Sequence, residues 1–417
     1  MDKPKVFNVC LYIFLLVIAL FLVEETARLW LSAALSGKVD VKSIERGLTF
    51  NPADAELNFR IARFYHMFTF ADGSKAEAFY VRSVELNPLL SSSWLGLTEM
   101  FVENGDKQKA LSTLERLSEL TPLSSSYLWE GAILALRLGD RQMAIKDLRL
   151  VARTDPHKRW GAFDLAREAI GDPKIILDDV VPNEALGDYL WYLISRDKLD
   201  ETFPVWKRIK EVGVTSNWVV LRYVEFLSAK GRVSEASSIW DGMFGKRGES
   251  LVWNGGFEKD LLGGGFDWII WNFAPGVRID LDEEKRFEGT RSLRVRFDGK
   301  YNVDFYHVWE IVPVEQNADY TFTSYMSTQD ITTTNGITWE IYCYPKVNMM
   351  KTIESLTGTN DWKRVEVSFH TPSDCKSVVI RLRRYVSTKF DRYISGTAWV
   401  DDVRLFKVES KPDAQSG

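Results

Sequence analysis

A repeat of about 34 residues in the N-terminal half constrains the fold of this chain more than any other sequence feature. Four prolines lie at successive intervals of 36, 34 and 34 residues: Pro52, Pro88, Pro122 and Pro156. Small residues precede the last three prolines by twelve positions: Ala76, Ala110 and Ala144. Proline cannot donate its backbone N–H, so each proline ends a helix. The alanines allow close helix contact, and the period predicts a stack of helical hairpins.

Large apolar residues recur in register with these alanines and prolines, which predicts that they form the core between helices. They are Tyr65, Tyr80, Phe101, Leu114 and Leu148. Over residues 53–156 the pattern resembles the tetratricopeptide repeat, and two degenerate repeats begin at Asn183 and Ser216. The resemblance implies an α-solenoid over residues 24–247 with a protein or peptide partner in its groove.

The first 23 residues predict a membrane anchor. Residues 6–23 carry no charge and are long enough as a helix to cross most of a bilayer. Two lysines precede this run and two glutamates follow it, so we expect a cytoplasmic N-terminus and a periplasmic or extracytoplasmic bulk, in a bacterial inner membrane. The alternative is a signal peptide cleaved near residues 32–34. Residues 24–35 fall where a first repeat helix would begin, so the anchor should continue into the solenoid.

The composition changes near residue 248, where short alternating runs rich in Val, Thr, Tyr and Trp replace the helical period. Such runs separated by turn signals predict an all-β sandwich over residues 249–408, followed by a disordered tail over residues 409–417. The predicted strands cover residues 292–297, 306–314, 320–327, 336–344, 364–370, 377–385 and 397–408. The predicted fold class is therefore multidomain α + β: a transmembrane helix, an α-solenoid and a β-sandwich.

Several motifs in the β region occur in the order seen in galactose-binding-like jelly rolls. They are NGGFE at 254–258, GFDW at 265–268, EGTRSL at 288–293, NADY at 317–320, DW at 361–362 and WVDDV at 399–403. In this order they resemble the carbohydrate-binding modules that accompany bacterial xylanases and glucanases. The resemblance implies a jelly roll that binds glycan. Fold alone does not fix the ligand, so docking of a protein stays open as the alternative.

Strand alternation predicts which side chains would meet a sugar. In the predicted strands over residues 336–344 and 377–385, one face is apolar and is predicted to pack in the core. The opposite face carries Glu340, Tyr342, Tyr344, Arg381, Arg383 and Tyr385. Trp268 and Trp271, in a Gly-rich irregular segment, complete the candidate glycan-binding set, because aromatic rings stack on the C–H faces of sugars. This surface suits a polysaccharide, including an acidic one. A solvated sheet face with cross-strand ion pairs is the alternative.

Two further expectations concern a metal and the cysteines. The jelly-roll resemblance implies a structural calcium ion with Glu258 and Asp402 as ligands, since hard oxygen ligands suit it. Capping of strand ends and surface charge is the alternative for the acidic pair at 401–402. Nothing in the sequence brings Cys343 and Cys375 within bonding distance, so we expect two free thiols, although an oxidising compartment would permit a bridge.

The sequence also excludes several function classes. The formal net charge of −5 argues against nucleic acid, and GxGxxG, P-loop, GxSxG and CxxC patterns are missing. We therefore expect no enzyme activity and no required cofactor. A glycoside hydrolase using Glu310 and Glu340 is the remaining enzymatic alternative. The leading hypothesis is an accessory protein in exopolysaccharide or cell-surface polysaccharide synthesis or export. A purely protein-binding envelope scaffold is the alternative.

Overall fold

The computed structural model describes residues 3–36, 40–68, 73–213 and 216–408, so the predicted tail over residues 409–417 lies outside the described residues. The chain divides into two compact units, residues 1–185 and 186–417. In the first unit the helices are α1 Lys3–Ser36, α2 Val41–Phe50, α3 Ala55–Phe68, α4 Gly73–Leu86, α5 Ser91–Glu103, α6 Lys107–Leu120, α7 Ser125–Leu138, α8 Arg141–Thr154, α9 Arg159–Ala169 and the short α10 Pro173–Ile175.

Helix α1 combines the predicted anchor with the first repeat helix. Its segment Asn8–Leu35 contains an 18-residue window with a mean hydropathy of 2.3 and is long and apolar enough to cross a membrane. The helix continues without interruption through residues 24–35, and its C-terminal part packs against α2. The apolar segment is therefore continuous with the helix that packs against α2.

The first unit is an array of antiparallel helical hairpins, as the period predicts. Helices α3 and α4, α5 and α6, and α7 and α8 form consecutive pairs, and each pair packs on the next. Ala76, Ala110 and Ala144 are buried at the helix contacts. A Cβ atom added to Gly96 on α5 would lie 2.4 Å from the Tyr80 ring, so close packing of α4 on α5 requires glycine there. The tetratricopeptide-type array is therefore present.

The second unit begins with two more hairpins, which correspond to the degenerate repeats. Their helices are α11 Leu186–Ser195, α12 Leu199–Val212, α13 Asn217–Ala229 and α14 Val233–Phe244. Gly231 has a φ of 70° in the turn between α13 and α14, and Ala236 is fully buried where these helices meet. The last helices thus belong to the same compact unit as the strands.

Within the described residues, ten strands form two antiparallel five-stranded sheets that enclose one apolar core. They are β1 Ile269–Ile270, β2 Val277–Asp282, β3 Ser292–Asp298, β4 Phe305–Pro313, β5 Asp319–Ile331, β6 Thr338–Tyr344, β7 Met350–Thr352, β8 Gly358–His370, β9 Ser377–Arg384 and β10 Ser395–Lys407. We name the sheet with order β1-β4-β9-β6-β7 the cleft sheet and the sheet with order β2-β3-β10-β5-β8 the back sheet. All seven predicted strands are present. The unpredicted β1 and β7 have only two and three residues, too few to show alternation.

The expectation of two free thiols in the sandwich is wrong. Cys343 and Cys375 form a disulfide, with their Cα atoms 5.6 Å apart. Strands β6 and β9 are neighbours, and Cys343 lies opposite Val378 in their register. Cys375 precedes Val378 by three residues and therefore lies beside the end of β6. The sequence alone did not show that these two strands pair, so the proximity was not visible.

Candidate functional site

A cleft of about 360 Å³ lies on the outer face of the cleft sheet. Its lining is mostly aromatic and apolar, with one cationic and one anionic side chain: Glu225, Ile269, Trp271, Tyr306, Trp309, Ile311, Tyr342, Tyr344, Val379 and Arg381. The register places Ile269, Trp309 and Arg381 in one row across β1, β4 and β9. Most of the site is therefore built on neighbouring strands, with Trp271 just after β1 and Glu225 on α13.

A β-bulge in β4 explains how two aromatic residues of one strand share the cleft. Phe305 pairs with Arg384 and Val308 with Leu382, so β4 advances three residues where β9 advances two. The extra residue changes which side chains face outward. Tyr306 and Trp309 consequently both line the cleft, although strict alternation would place them on opposite faces. Neither residue belongs to the predicted glycan-binding set, and alternation along β4 would place only one of them in the cleft.

Alternation in β6 and β9 is confirmed. Trp339, Ile341, Val378 and Ile380 are fully or almost fully buried between the sheets. The predicted opposite face does form one surface. Tyr342 and Tyr344 are half-buried there, and Arg381 lies between β4 and β6.

Glu340 lies at the centre of a hydrogen-bonded network and not at an open surface. Its carboxylate is only 2% exposed and pairs with Arg381, whose Nε donates to Oε1 at 3.0 Å. The hydroxyl of Tyr385 donates to the other oxygen, and Arg383 lies 3.9 Å away. Glu340 therefore orients Arg381 and Tyr385. The cross-strand ion pairs of the alternative interpretation are present in this network, and a glycan-binding role for these residues stays a prediction.

Cationic side chains lie over aromatic rings of the cleft and of the adjoining hydrogen-bonded network. The Arg381 guanidinium is 4.9 Å from the centre of the Tyr342 ring, and Arg383 is 4.0 Å from that of Tyr385. Burial raises the pKa of Tyr342, and burial followed by the Glu340 hydrogen bond raises that of Tyr385. Both hydroxyls thus remain protonated near neutral pH, and the single proton of the Tyr385 hydroxyl is already donated to Glu340.

The two predicted tryptophans have different environments. Trp271 is 41% exposed and packs edge-on against Trp309 at 4.3 Å, so one part of its ring remains open. Trp268 is completely buried, lies 5.2 Å from Phe257 and donates its Nε1–H to the Asn254 carbonyl at 3.2 Å. No ring face of Trp268 is available to a ligand. The predicted stacking role of Trp268 is corrected: its position is in the core.

The structure brings together most of the predicted glycan-binding residues. Trp271, Tyr342, Tyr344 and Arg381 line the cleft directly. Glu340, Arg383 and Tyr385 adjoin it through the hydrogen-bonded network. Glu225 was not predicted, because it belongs to a helix far away in sequence.

The residues predicted to hold calcium do not present a ligand set. Glu258 accepts hydrogen bonds from the backbone N–H of Thr290 at 2.9 Å and of Arg291 at 3.3 Å, and from the Thr290 hydroxyl. Asp402 pairs with the guanidinium of Arg404. Both carboxylates therefore face protein donors, one of them a cation, and the donor set does not fit a calcium ion between them.

The two carboxylates considered for glycoside hydrolysis lie on opposite faces of the cleft sheet. Glu340 pairs with Arg381 and Glu310 with Ile380, and adjacent residues of β9 point to opposite faces. Glu310 is completely buried and accepts the Trp253 N–H at 2.7 Å, and burial raises its pKa well above the usual range. The pair cannot flank one glycosidic bond.

Residues 249–384 match the profile of a family described as "Carbohydrate binding domain". This match covers less than half of the chain and indicates that the C-terminal domain is similar to this family. No curated protein matches the sequence.

Three solved structures are similar to parts of this chain, two of them carbohydrate-binding modules and one a helical-repeat protein. One is entitled "CBM4 structure and function", with 16% identity, 38% of this chain and 99% of that chain covered, and a TM-score of 0.29. The CBM22-1 xylan-binding domain from Paenibacillus barcinonensis Xyn10C has 12% identity, coverage of 37% and 93%, and a TM-score of 0.24. YrrB, described as a TPR protein with an unusual peptide-binding site, has 13% identity, coverage of 49% and 91%, and a TM-score of 0.26. The assignment of the C-terminal domain rests on the family profile, and that of the helical region on its repeated hairpins.

Proposed function

We propose that this protein is a membrane-anchored, non-catalytic accessory protein that binds glycan in the cleft of its β-sandwich. The observation that carries the proposal is the cleft lined by Trp271, Tyr306, Trp309 and Tyr342, in a domain matched by the carbohydrate-binding profile. Aromatic rings offer flat apolar faces to the C–H groups of a pyranose. A few fixed polar groups then orient the hydroxyls.

Arg381 supplies the main fixed donor of this site. Its Nε and Nη2 groups are held by Glu340, which leaves Nη1 unused by that carboxylate. A guanidinium fixed by a buried ion pair loses little conformational freedom when it binds a sugar hydroxyl or carboxylate. Glu340, Arg383 and Tyr385 support the glycan site from this network, and Tyr344 extends it toward α13.

The repeat hairpins support a second binding role. Stacked hairpins form an extended surface on which a protein or peptide binds, and this architecture seldom carries catalysis. The solenoid would therefore recruit a protein partner while the sandwich binds polysaccharide. Opposite orientations of Glu310 and Glu340 support the non-catalytic assignment.

The apolar helix and its flanking charges support the location. The lysines before and the glutamates after residues 6–23 favour a single-pass bacterial inner-membrane protein with a cytoplasmic N-terminus and a periplasmic bulk. A tethered glycan-binding domain with a protein-binding solenoid suits exopolysaccharide or cell-surface polysaccharide biosynthesis or export.

The proposal is tested with the full chain in detergent micelles. We expect it to retain at least one polysaccharide on an array of bacterial surface and plant cell-wall glycans, and to retain envelope proteins in a pull-down. Protein capture without any glycan retention would contradict the sugar-binding role and favour the purely protein-binding scaffold. A C-terminal reporter active only outside the cytoplasm tests the location, and an inactive reporter would contradict it.

A further inference from the structure

One wall of the cleft comes from a helix and not from the sandwich. Glu225 on α13 lines the cleft beside Tyr344, at the end of the sheet where β4 and β6 finish and β9 begins. Glu225 and the sandwich belong to the same compact unit. The opposite end of the sheet carries Tyr385, which is 40% exposed. The cleft is therefore bounded by a carboxylate on one side.

Close packing fixes α13 against the sandwich. The backbone N–H of Gly265 donates to Glu225 Oε1 at 2.9 Å. A Cβ atom on Gly264 would lie 2.6 Å from that oxygen, and one on Gly265 would lie 2.6 Å from the Trp240 ring. The loop before β1 thus approaches the helices at a distance that only glycine permits.

An aromatic cluster continues this contact. Trp240 on α14 is completely buried, and its ring lies 5.3 Å from that of Trp253 and 5.6 Å from that of Phe266. Helices α13 and α14 therefore share a packed core with the sandwich. The position of Glu225 in the wall is set by this core and not by a flexible linker.

The carboxylate of Glu225 has capacity left for a ligand. Arg222 donates to Oε2 at 2.7 Å and Gly265 to Oε1, whereas a carboxylate has about four acceptor sites. The Glu225 side chain is 20% exposed. Burial, and then the nearby charge of Glu225, raise the pKa of Tyr344.

We propose that Glu225 is a specificity-determining residue of the glycan site, contributed by the helical part of the chain. It accepts hydrogen bonds from hydroxyl groups of the sugar bound beside Tyr344, and it disfavours a uronic acid at that position through like-charge repulsion. The ligand at this end of the cleft is therefore a neutral sugar. This inference rests on the proposed glycan-binding function.

The test compares Glu225→Gln with the wild-type full chain in micelles. The probes are cellohexaose, xylohexaose and mannohexaose as neutral oligosaccharides, with hexagalacturonate and hexamannuronate as acidic ones. The amide of Glu225→Gln can still accept the Gly265 N–H but carries no charge. We expect the affinity for acidic relative to neutral probes to rise about fivefold, the size of a partly screened charge interaction.

Two further variants separate charge from structure. Glu235→Gln is the matched control, because Glu235 pairs with Arg232 three residues earlier, as Glu225 does with Arg222, and does not line the cleft. We expect it to bind like wild type. Glu225→Asp keeps the charge and should keep the discrimination against acidic probes. A purely structural role would instead make Glu225→Asp the more damaging change for all probes alike.

The outcomes distinguish the two levels of the proposal. Binding of probes by wild type with an identical acidic-to-neutral ratio in Glu225→Gln overturns the inference and leaves the glycan site intact. If the wild-type chain binds none of the probes and Trp271→Ala binds none either, the result contradicts both the glycan site and the inference.

Discussion

Replacement of Trp271 by alanine should weaken glycan binding by between one and two orders of magnitude. Aromatic side chains have a total accessible surface of about 150–250 Å², and Trp is the largest. Since Trp271 is 41% exposed, about 100 Å² of it is open to solvent. A pyranose covering half of this area would bury about 50 Å² on each partner, or about 100 Å² together. At about 25 cal/mol per Å² this burial contributes about 2.5 kcal/mol.

This energy corresponds to a Kd about 60-fold higher for Trp271→Ala. Isothermal titration calorimetry with an oligosaccharide retained in the array screen measures it directly. Trp362→Ala is the matched control, because Trp362 is a half-buried tryptophan on β8 of the back sheet, outside the cleft. Thermal unfolding of both variants checks that each is folded. An equal Kd for Trp271→Ala and wild type, with both folded, would refute the stacking argument.

Three other predictions concern stability. Burial raises the pKa of Asp147 from 3.8 to about 6, so the folded state holds this proton more tightly and the free energy of unfolding falls as the pH rises through this window. Asp147→Asn should therefore recover up to about 3 kcal/mol of stability above pH 6 and little at pH 4. Equal shifts of the melting temperature at both pH values would count against this prediction. Reduction of the Cys343–Cys375 bridge, which closes a loop with a sequence separation of 32, should lower the free energy of unfolding by about 3–4 kcal/mol in denaturant titrations, and unchanged unfolding would disprove its contribution. Chelation by EDTA should leave the melting temperature unchanged, because Glu258 and Asp402 face protein donors; a lower value would restore the calcium site.

Much of the fold follows from periodicity. The spacing of Pro88, Pro122 and Pro156 predicts helical hairpins because helix termination is a local property of the chain. Alternation around Trp339 and Ile380 likewise predicts the buried faces of β6 and β9, since neighbouring residues of a strand point to opposite faces.

The features of the fold and the site that the sequence did not predict depend on contacts between residues distant in sequence. Cys343 and Cys375 meet because β6 pairs with β9, and Glu225 reaches the cleft because α13 packs on Gly265. Tyr306 and Trp309 share one face through a bulge that alternation cannot reveal. Trp268 lies in the same Gly-rich segment as Trp271, and only tertiary packing distinguishes the buried ring from the exposed one.

Helix α13 and the sandwich belong to one compact unit, which affects how an isolated sandwich should bind sugar. Because α13 and the sandwich share the core around Trp240, a fragment containing only residues 249–408 would lack the Glu225 wall. We expect such a fragment to discriminate less between neutral and acidic sugars than the full chain. On this proposal, the helical hairpins contribute to sugar recognition as well as to architecture.

Hydroxyl-radical footprinting of the full chain, with and without a saturating oligosaccharide, tests most directly whether the aromatic cleft holds the sugar. The account predicts reduced oxidation of Trp271, Trp309 and Tyr342 when glycan is bound, with Tyr325 and Trp362 on the back sheet unchanged. Protection of the back-sheet residues instead, or of none of the five, would contradict it.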